Sequence, residues 1–341
     1  MTSVVHAPAT HSNDRVRFGI LGAARIAPFA LVSPARQLDT VEVAGIAARD
    51  VERARAFAKK HGIPKAVGSY DALLNDPHIE AIYNPLPNSL HAEWTIRALE
   101  AGKHVLCEKP LTLNADEAER VADAARQSGR VLMEAFHWRY HPMAQRMREI
   151  IKSGELGTIR RVETWMCIPL VMSGDIRFQL ALGGGAGMDV GSYTVSMQRH
   201  LMDEEPEVVS AQAWLKSPGV DRRIESELRF PSGATGHTTA SLFSQTLLWV
   251  AATVVGDRGT MTALNPVIPQ VWHRLTVTID GQKRSETFEK RSTYSFQLEA
   301  FAQAVRGGGP VLTGPDDAIA NMRLIDAVYR AAGMQPRGVT P

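Results

Sequence analysis

The tripeptide Glu108-Lys109-Pro110 places a carboxylate and an amine directly after an apolar stretch. Residues 105–107 are apolar without alternation, which is typical of a strand covered on both faces in a parallel sheet. Pro110 cannot continue the hydrogen bonding of a strand, so the strand is expected to end at Glu108 and Lys109. Ligands bind at this carboxyl end in open α/β sheets, which makes the pair a candidate for ligand binding. Taken alone, the tripeptide also fits a surface ion pair at a turn.

A second candidate for chemistry follows the glycine-rich run at 183–187. Asp189 and Tyr193 come just after it and are four residues apart, so they share one face of the helix that is predicted to begin there. A carboxylate and a phenol on one helix face suit proton transfer. The alternative is structural, with a buried, hydrogen-bonded Tyr193 and with Asp189 placed favourably at a helix N-terminus.

A degenerate dinucleotide-binding fingerprint follows the first predicted strand, at 15–21. Gly22 can make the tight turn, Ala24 replaces the glycine that normally approaches the pyrophosphate, and Ala27 is small enough for packing of the helix on the strand. Pro28 suits the first turn of the helix, whose free N–H groups point at a phosphate. The cofactor contacts predicted here are Gly22, Ala24, Arg25 and Ile26.

The end of the second predicted strand, at 41–48, indicates which dinucleotide is bound. A site that prefers NAD carries an acidic residue here to hold the ribose 2′-hydroxyl. This chain has Ala48 followed by Arg49. A small residue beside a guanidinium suits a 2′-phosphate, so the sequence predicts NADP(H) as the preferred cofactor, with NAD(H) still possible. Alternatively, Arg49 is only a solvated residue at a strand end.

A stiff loop that contains Pro85, Leu86, Pro87 and Asn88 follows the next strand, at 80–83. Its two prolines are expected to hold it rigid beside the nicotinamide. Asn88 or Ser89 can cap the helix that runs to residue 101. His91 lies on the first turn of that helix, where it either contacts the cofactor or serves in local packing.

The elements indicate two kinds of sheet. Strands alternate with helices up to residue 135, and this rhythm predicts a Rossmann-type, doubly wound parallel sheet. Beyond a helix at 142–153, strands follow one another without intervening helices, which predicts a large, open and mostly antiparallel sheet. Asp280-Gly281 is a strong hairpin signal. Thr293 is expected to cap one helix, and a last helix is expected at 316–332. The fold class is therefore α/β followed by α+β.

An aromatic and basic cluster at 136–142 ends the alternating region. Its rings could stack on a sugar face while a guanidinium donates hydrogen bonds, and packing between the two halves of the chain is an equal alternative. The substrate contacts predicted from it are Trp138, Arg139 and Tyr140.

Composition excludes several classes of function. The 341 residues suffice for two domains, and 38 basic against 36 acidic residues give a net charge of +2, which argues against nucleic acid or an anionic membrane as the main partner. Cys107 and Cys167 lack the spacing of metal or redox sites and are expected to be core thiols of a reducing, cytoplasmic compartment. Residues 1–14 lack the features of a secretory signal and are interpreted as a flexible lead-in. No apolar run is long enough to span a bilayer.

Taken together and in order, these motifs resemble the glucose–fructose oxidoreductase and inositol dehydrogenase family. The nearest pattern is the branch with dimeric dihydrodiol dehydrogenase and NADP-dependent sugar dehydrogenases. The resemblance spans roughly residues 15–335. It implies a Rossmann domain at 15–136 and a substrate and oligomerisation domain at 137–341. It also implies a homodimer or homotetramer, because one face of the second sheet commonly forms the subunit interface in relatives.

The resemblance also implies roles for individual residues. Lys109 matches the lysine that hydrogen-bonds the reacting oxygen, Asp189 matches a pocket carboxylate, and Tyr193 occupies the place of the acid/base. Arg177 and Tyr294 lie where relatives sometimes contact the cofactor, and Glu108 belongs to the same cofactor set. Tyr193 stands where other branches carry a histidine, which argues against an inositol-type relay.

The function expected from these observations is NADP(H)-dependent hydride transfer to or from a carbinol or carbonyl carbon of a sugar, polyol or dihydrodiol. Two alternatives remain. Some relatives hydrolyse or eliminate at a glycoside with a retained NAD(P) cofactor, and a non-catalytic NADP(H)-binding regulator is also conceivable. No metal site is expected.

Overall fold

The computed structural model describes residues 15–171 and 174–339. The predicted lead-in at 1–14 lies outside the described residues. Two sheets organise the described chain, one of six strands and one of eight. The predicted fold class is confirmed, since a parallel sheet comes first and a mostly antiparallel sheet follows.

The first sheet is parallel throughout, with the strand order β3-β2-β1-β4-β5-β6 of a doubly wound Rossmann-type sheet. Its strands are β1 Val16–Leu21, β2 Val41–Ala47, β3 Lys65–Val67, β4 Ala81–Asn84, β5 His104–Cys107 and β6 Leu132–Glu134. The central strands β1, β4 and β5 are buried on both faces, as their mostly apolar sequences predict. The short edge strand β3 was not predicted, because three residues with one exposed lysine carry little pattern.

The helices of the first half are a π-helical turn at Pro28–Val32 that continues into α1 Ser33–Ala35, then α2 Val51–His61, α3 Tyr70–Leu74, α4 His91–Glu100 and α5 Ala115–Ser128. The predicted caps of α3 and α5 are confirmed, since Ser69 and Asn114 accept backbone N–H groups of the first turns. The predicted cap of α4 is wrong, because α4 begins after a 3₁₀ turn and Leu90 at its N-cap provides no side-chain hydrogen bond.

The second sheet has the strand order β14-β13-β12-β11-β7-β10-β9-β8, and β7 pairs with β10 as its one parallel pair among the described strands. The strands are β7 Ile159–Cys167, β8 Glu207–Ser217, β9 Val220–Arg229, β10 Thr235–Ser241, β11 Trp249–Gly256, β12 Gly259–Leu264, β13 Arg274–Ile279 and β14 Gln282–Glu286. The predicted hairpin joins β13 to β14, where Asp280 and Gly281 have φ of 49° and 82°. Strand β12 was not predicted from the sequence.

The remaining helices are α6 Pro142–Lys152, α7 Ser192–Met202, α8 Thr293–Val305 and α9 Pro315–Ala331. Helix α8 returns to the first sheet, where the rings of Phe301 and Phe18 lie 5.2 Å apart in one hydrophobic core. The predicted cap of α8 is wrong, because Ser292 holds the N-cap position without a side-chain bond and Thr293 contacts a histidine instead. Within the described part of the chain, no helix is long and apolar enough to cross a membrane.

Both cysteines are buried free thiols, as predicted, with Cys107 on β5 and Cys167 at the end of β7. Burial raises the pKa of both thiols, that of Cys167 to about 11. Each thiol therefore stays protonated and unreactive near neutral pH. Over the described ranges, no group of three His, Cys, Asp or Glu side chains is arranged to hold a metal ion.

Candidate active site

A cleft of about 1020 Å³ lies at the carboxyl ends of β1, β4 and β5, where the second sheet approaches the first. This is the edge at which a doubly wound sheet binds ligands. The predicted cofactor and catalytic residues that line this cleft are Gly22, Ala24, Arg25, Ile26, Ala48, Arg49, Pro85, Leu86, Asn88, His91, Glu108, Lys109, Arg177, Asp189, Tyr193 and Tyr294. Residues from both halves of the sequence therefore share one cavity.

The glycine of the fingerprint has the geometry that a close ligand approach needs. Gly22 has φ of 81° and donates its N–H to the carbonyl of Ala47 at 2.7 Å. A Cβ at this position would lie 3.0 Å from the Leu86 side chain and would fill the space between the two loops. The turn therefore needs glycine, and its shape fits the predicted cradle for a dinucleotide.

Two guanidinium groups lie at the end of the cleft beside Ala48. Arg49 and Arg53 both line the cleft and are exposed, and Arg53 donates to the carbonyl of Ala23 at 3.2 Å. Asp50 accepts the N–H of Glu52 at 2.9 Å and so fixes the start of α2. Sequence reasoning missed Arg53, which lies in the first turn of α2, whereas Arg49 precedes the N-cap Asp50. The pair fits the 2′-phosphate of a dinucleotide.

His91 contacts both the loop that follows β4 and the loop that follows β5. Its Nε2 lies 2.7 Å from the carbonyl oxygen of Leu86 and its Nδ1 lies 2.8 Å from that of Pro110. The side chain is buried, and burial lowers its pKa to about 4 although the two carbonyls oppose that shift. Asn88 crosses the cleft instead of capping a helix, and its Nδ2 donates to the carbonyl of Gly183 at 3.1 Å.

Lys109 and Asp189 meet at the centre of the cleft. The Lys109 ammonium donates to Oδ1 and to the backbone oxygen of Asp189, each at 2.9 Å. Asp189 Oδ2 lies 2.9 Å from Nε of Arg177. Burial acts to raise the pKa of Asp189, but the charges of Lys109 and Arg177 outweigh burial and lower that pKa. An ammonium has three N–H groups, so one remains for an oxygen in the cleft.

Tyr193 completes this centre, because Lys109 Nζ lies 4.8 Å from the centroid of its ring. Burial raises the pKa of Tyr193 well above its ordinary value, and the nearby Tyr294, Glu108 and Asp189 add to the rise. The phenol is therefore protonated at neutral pH and can donate a proton. Asp189 and Tyr193 were predicted to share one face of an α-helix. In the structure only Tyr193 lies in α7, and Asp189 lies in a π-helical turn, Gly187–Gly191, that continues into α7.

His137 is a cleft residue that sequence reasoning did not single out. Its Nε2 lies 3.3 Å from Oη of Tyr193, its Nδ1 lies 2.8 Å from Oγ1 of Thr293, and its ring lies against Tyr294 at 4.1 Å between centroids. The aromatic and basic cluster was the available signal, but the spacing within it did not show which residue faces the cleft.

Glu108 precedes Lys109 in the chain and accepts a hydrogen bond from the Tyr83 hydroxyl at 2.7 Å. Burial raises the pKa of Glu108, while the Tyr83 hydrogen bond and the Lys109 charge oppose that rise. The side chain is partly buried at the edge of the cleft. Tyr83 therefore fixes the carboxylate that precedes the central lysine.

The glycine run is explained by a buried ion pair behind it. Arg337 Nη2 lies 2.6 Å from Oδ1 of Asp221, and Arg337 Nε donates to the carbonyl of Gly184 at 2.8 Å. Asp221 Oδ2 also accepts the N–H of Gly187 at 2.6 Å. A Cβ on Gly185 would lie 2.2 Å from Asp221 Oδ1, so a larger residue would displace the pair. The run therefore packs against charged groups and shapes the turn that carries Asp189.

The three predicted substrate contacts lie outside the cleft lining. Trp138 is fully buried, Arg139 donates to Asp317 at 2.6 Å, and the Tyr140 hydroxyl lies 2.9 Å from Thr313 Oγ1. Burial raises the pKa of Tyr140 to about 12. Arg139 and Tyr140 are held by Asp317 in the first turn of α9 and by Thr313 just before it, and Trp138 packs edge-on against His200 of α7. These contacts fit the packing alternative, and a role of the three residues in substrate binding stays a prediction.

Comparison with known proteins identifies the family of this chain. The profile of an oxidoreductase family with an NAD-binding Rossmann fold matches residues 16–136. The profile of the GFO/IDH/MocA C-terminal domain matches residues 144–262. The chain is 40% identical over 317 residues to D-xylose 1-dehydrogenase (NADP(+)) 2 of Haloferax volcanii, covering 92% of this chain and 97% of the relative.

Two further relatives extend the comparison. A trans-1,2-dihydrobenzene-1,2-diol dehydrogenase of Macaca fuscata fuscata is 34% identical over 335 residues, covering 94% of this chain and 97% of the relative. A crystal structure of a 3-ketoreductase from Actinomadura kijaniata with NADP and TDP-benzene superposes with a TM-score of 0.86 at 30% identity, covering 93% and 98% of the two chains. The chain belongs to the Gfo/Idh/MocA family of oxidoreductases, as its motifs predicted.

Proposed function

We propose that this oxidoreductase transfers a hydride between NADP(H) and a carbinol or carbonyl carbon of a sugar, polyol or dihydrodiol. One observation carries the proposal. The Lys109 ammonium is held 2.9 Å from Asp189 and 4.8 Å from the Tyr193 ring centroid, in the same cleft as Arg49 and Arg53. Such a reaction needs a proton donor, a cation that polarises the reacting oxygen and a site for the cofactor phosphate, and this cavity offers all three.

Lys109 binds the reacting oxygen and polarises it. Its contacts with Asp189 orient the ammonium and leave one N–H directed at the cleft. The bound nicotinamide supplies or accepts the hydride. Since negative charge develops on the oxygen during carbonyl reduction, a fixed ammonium nearby stabilises the transition state more than the ground state.

Tyr193 gives the proton to that oxygen in reduction and receives it in oxidation. Its raised pKa keeps the phenol protonated, and the Lys109 charge over its ring stabilises the phenolate that forms. Asp189 holds Lys109 and Arg177 in place and accepts a substrate hydroxyl at its remaining lone pairs. Glu108 and His91 hold the two loops that shape this end of the cleft.

NADP(H) is the preferred cofactor in this proposal. Ala48 leaves room beside the adenosine ribose, and Arg49 and Arg53 supply two positive charges where an NAD-preferring site would carry an acid. Relatives agree, since the Haloferax volcanii dehydrogenase is named for NADP(+) and the Actinomadura kijaniata ketoreductase was solved with NADP. Arg25, Arg177 and Tyr294 are proposed as further cofactor contacts because they line the same cleft.

The test is the change in nicotinamide absorbance with purified protein, in both directions, over aldoses, ketoses, inositols and trans-dihydrodiols. Lys109→Ala should lower turnover by more than about tenfold, equal to about 1.4 kcal/mol of transition-state stabilisation. Lys59→Ala on the exposed face of α2 is the matched control and should leave turnover unchanged.

Two outcomes would contradict the proposal. Glycoside products without net change in nicotinamide absorbance would favour hydrolysis or elimination with a retained cofactor. Tight NADP binding without turnover of any substrate, and without sugar products, would favour a regulator that only binds the cofactor.

We further propose a homodimer or homotetramer formed through the second sheet. Thr164 of β7 donates to the carbonyl of Thr194 in α7, so its neighbours Glu163 and Trp165 point away from the helix layer. Across the strands, Glu163 pairs in register with His237, so one sheet face presents a half-buried row of such residues. A second copy can cover this face. Light scattering tests the assembly, and Trp165→Asp should shift it toward the monomer.

A further inference from the structure

His137 lies behind the phenol that is proposed to donate the proton. Its Nε2 is 3.3 Å from Oη of Tyr193, and its Nδ1 is 2.8 Å from Oγ1 of Thr293. The ring is 2% exposed and lies against Tyr294, with 4.1 Å between ring centroids. The imidazole therefore has a fixed orientation, with each ring nitrogen facing one hydroxyl.

The imidazole is neutral near neutral pH. Burial lowers the pKa of His137 to about 3, and the positive charge of Lys109 contributes to the shift. A neutral imidazole carries one N–H, so one ring nitrogen donates and the other accepts. A threonine hydroxyl can serve as either partner, and the same holds for a tyrosine hydroxyl. The arrangement of the two hydroxyl groups therefore decides the tautomer.

Tyr193 can act as an acid only if its own hydrogen points at the substrate oxygen. This is possible when the Thr293 hydroxyl donates to Nδ1 and the Nε2–H of His137 donates to Oη of Tyr193. In the opposite tautomer the Tyr193 hydrogen would be directed at Nε2 and away from the cleft. Lys109 lies over the ring face at 4.8 Å from its centroid, so it does not replace this in-plane donor.

Resting on the proposed function, we infer that His137 and Thr293 are positioning residues that orient the Tyr193 hydroxyl and stabilise its phenolate. In carbonyl reduction the hydride adds to carbon, the Tyr193 O–H bond breaks and its proton forms the new O–H bond of the product. The electron pair stays on the phenolate oxygen, which accepts the Nε2–H of His137. His137 keeps its proton, so Tyr193 is the sole proton donor to the substrate.

Other charged or titratable groups lie around Tyr193 on each neighbouring element. They are Lys109 and Glu108 at the end of β5, Asp189 in the π-helical turn, Arg177 in the segment before it, and Tyr294 on α8. Burial is the largest cause of the raised pKa of Tyr193. Tyr294, Glu108 and Asp189 add to the rise, and Arg177 opposes it. A donor at Oη opposes the three groups that disfavour the phenolate.

The experiment compares His137→Phe, which keeps a planar ring against Tyr294, with Thr293→Val and Thr293→Ser. His137→Phe should lower kcat for carbonyl reduction roughly 10- to 100-fold, as expected for loss of a hydrogen bond to a developing anion, with KM for NADPH within about twofold. The basic limb of the pH profile of kcat/KM should move up by about one unit, because the phenolate is less stable. Thr293→Val should also lower kcat and move the basic limb of the pH profile up, and Thr293→Ser should resemble the parent.

NMR of isotopically labelled histidine, without substrate, reads the tautomer directly, and an Nε2–H tautomer is expected at His137. In a Tyr193→Phe background, His137→Phe should cause no further loss. An Nδ1–H tautomer, an unmoved pH profile or an equal loss in the Tyr193→Phe background would each overturn the inference. Failure of the parent to turn over any substrate with NADP(H) would instead contradict the proposed function, and the tautomer would still report on His137.

Discussion

The Lys109 ammonium contacts Asp189 at two points, the carboxylate oxygen Oδ1 and the backbone oxygen, each at 2.9 Å. The contact with Oδ1 is an ion pair, whereas the contact with the backbone oxygen depends only on the conformation of the turn that carries Asp189. The two can therefore be separated by substitution, because an amide at position 189 would lose the charge and keep the backbone contact.

Asp189→Asn should lower kcat/KM by roughly tenfold or more, since a hydrogen bond between charged groups contributes about 1.5–3 kcal/mol. Asp175→Asn is the comparison variant, because Asp175 contacts Arg25 and Arg177 but has no bond to Lys109 among the described contacts. Steady-state kinetics at saturating NADP(H) is the measurement. Equal losses in both variants would show that the Lys109 ion pair itself is not what supports turnover.

The guanidinium pair beside Ala48 leads to a prediction about cofactor preference. Arg49→Ala and Arg53→Ala should each raise KM for NADP by roughly tenfold or more, with little change for NAD, because each removes a charged donor to the 2′-phosphate. Arg55→Ala on the same helix is the control, since Arg55 pairs with Glu52 and lies outside the cleft lining. An unchanged ratio of NADP to NAD efficiency in both variants would refute the 2′-phosphate assignment.

Parts of the site that lie at the ends of regular elements were predictable from sequence. A buried strand followed by proline places Lys109 at the edge of the sheet, and the alternation of strands and helices places Gly22 and Ala48 at that same edge. These inferences use only local pattern and the geometry of parallel sheets. The spacing of Asp189 and Tyr193 predicted that the two side chains lie close together, and both line the cleft, although Asp189 lies in a π-helical turn and not in α7.

The misses share a tertiary cause. Thr293 and Asn88 have the chemistry of helix caps, but Thr293 contacts His137 and Asn88 contacts Gly183, which lie far away in sequence. A residue that could cap a helix can bind a distant partner instead when the N–H groups of the first helical turn do not depend on its side chain. Arg337 reaches Asp221 over 116 residues, so no local pattern could show why the glycine run is needed.

Gly185→Ala should destabilise the protein more than an ordinary substitution of a left-handed glycine. Its φ is 133°, and an added Cβ would lie 2.2 Å from Asp221 Oδ1 and 2.5 Å from Arg337 Nη2. Gly129→Ala is the control, because it has φ of 64° with nothing within 4 Å of the added Cβ. The control should cost about 1–2 kcal/mol for the backbone alone. Urea unfolding should show a clearly larger loss for Gly185→Ala, and equal losses would mean that the Asp221–Arg337 pair yields readily.

The ion pairs of Asp203 should make the free energy of unfolding depend on pH. Hydrogen bonds from Arg148 and Lys152 lower its pKa to about 2. An aspartate in the unfolded chain has a pKa of about 3.9, so the folded state binds this proton less readily than the unfolded state. The stabilisation by these pairs is therefore fully present above about pH 4 and is lost as the pH falls toward the folded-state pKa of about 2.

Asp203→Asn isolates this contribution, because asparagine also tolerates the φ of 56° found at this position. Urea unfolding of both proteins should show the parent more stable near neutral pH, with a gap that narrows steadily below about pH 4. The expected difference in the free energy of unfolding is small, since the side chains of Lys152 and Asp203 are both half exposed. A gap that stays constant from neutral pH to the acid limit would show that the substitution acts through packing or backbone conformation rather than through the ion pairs.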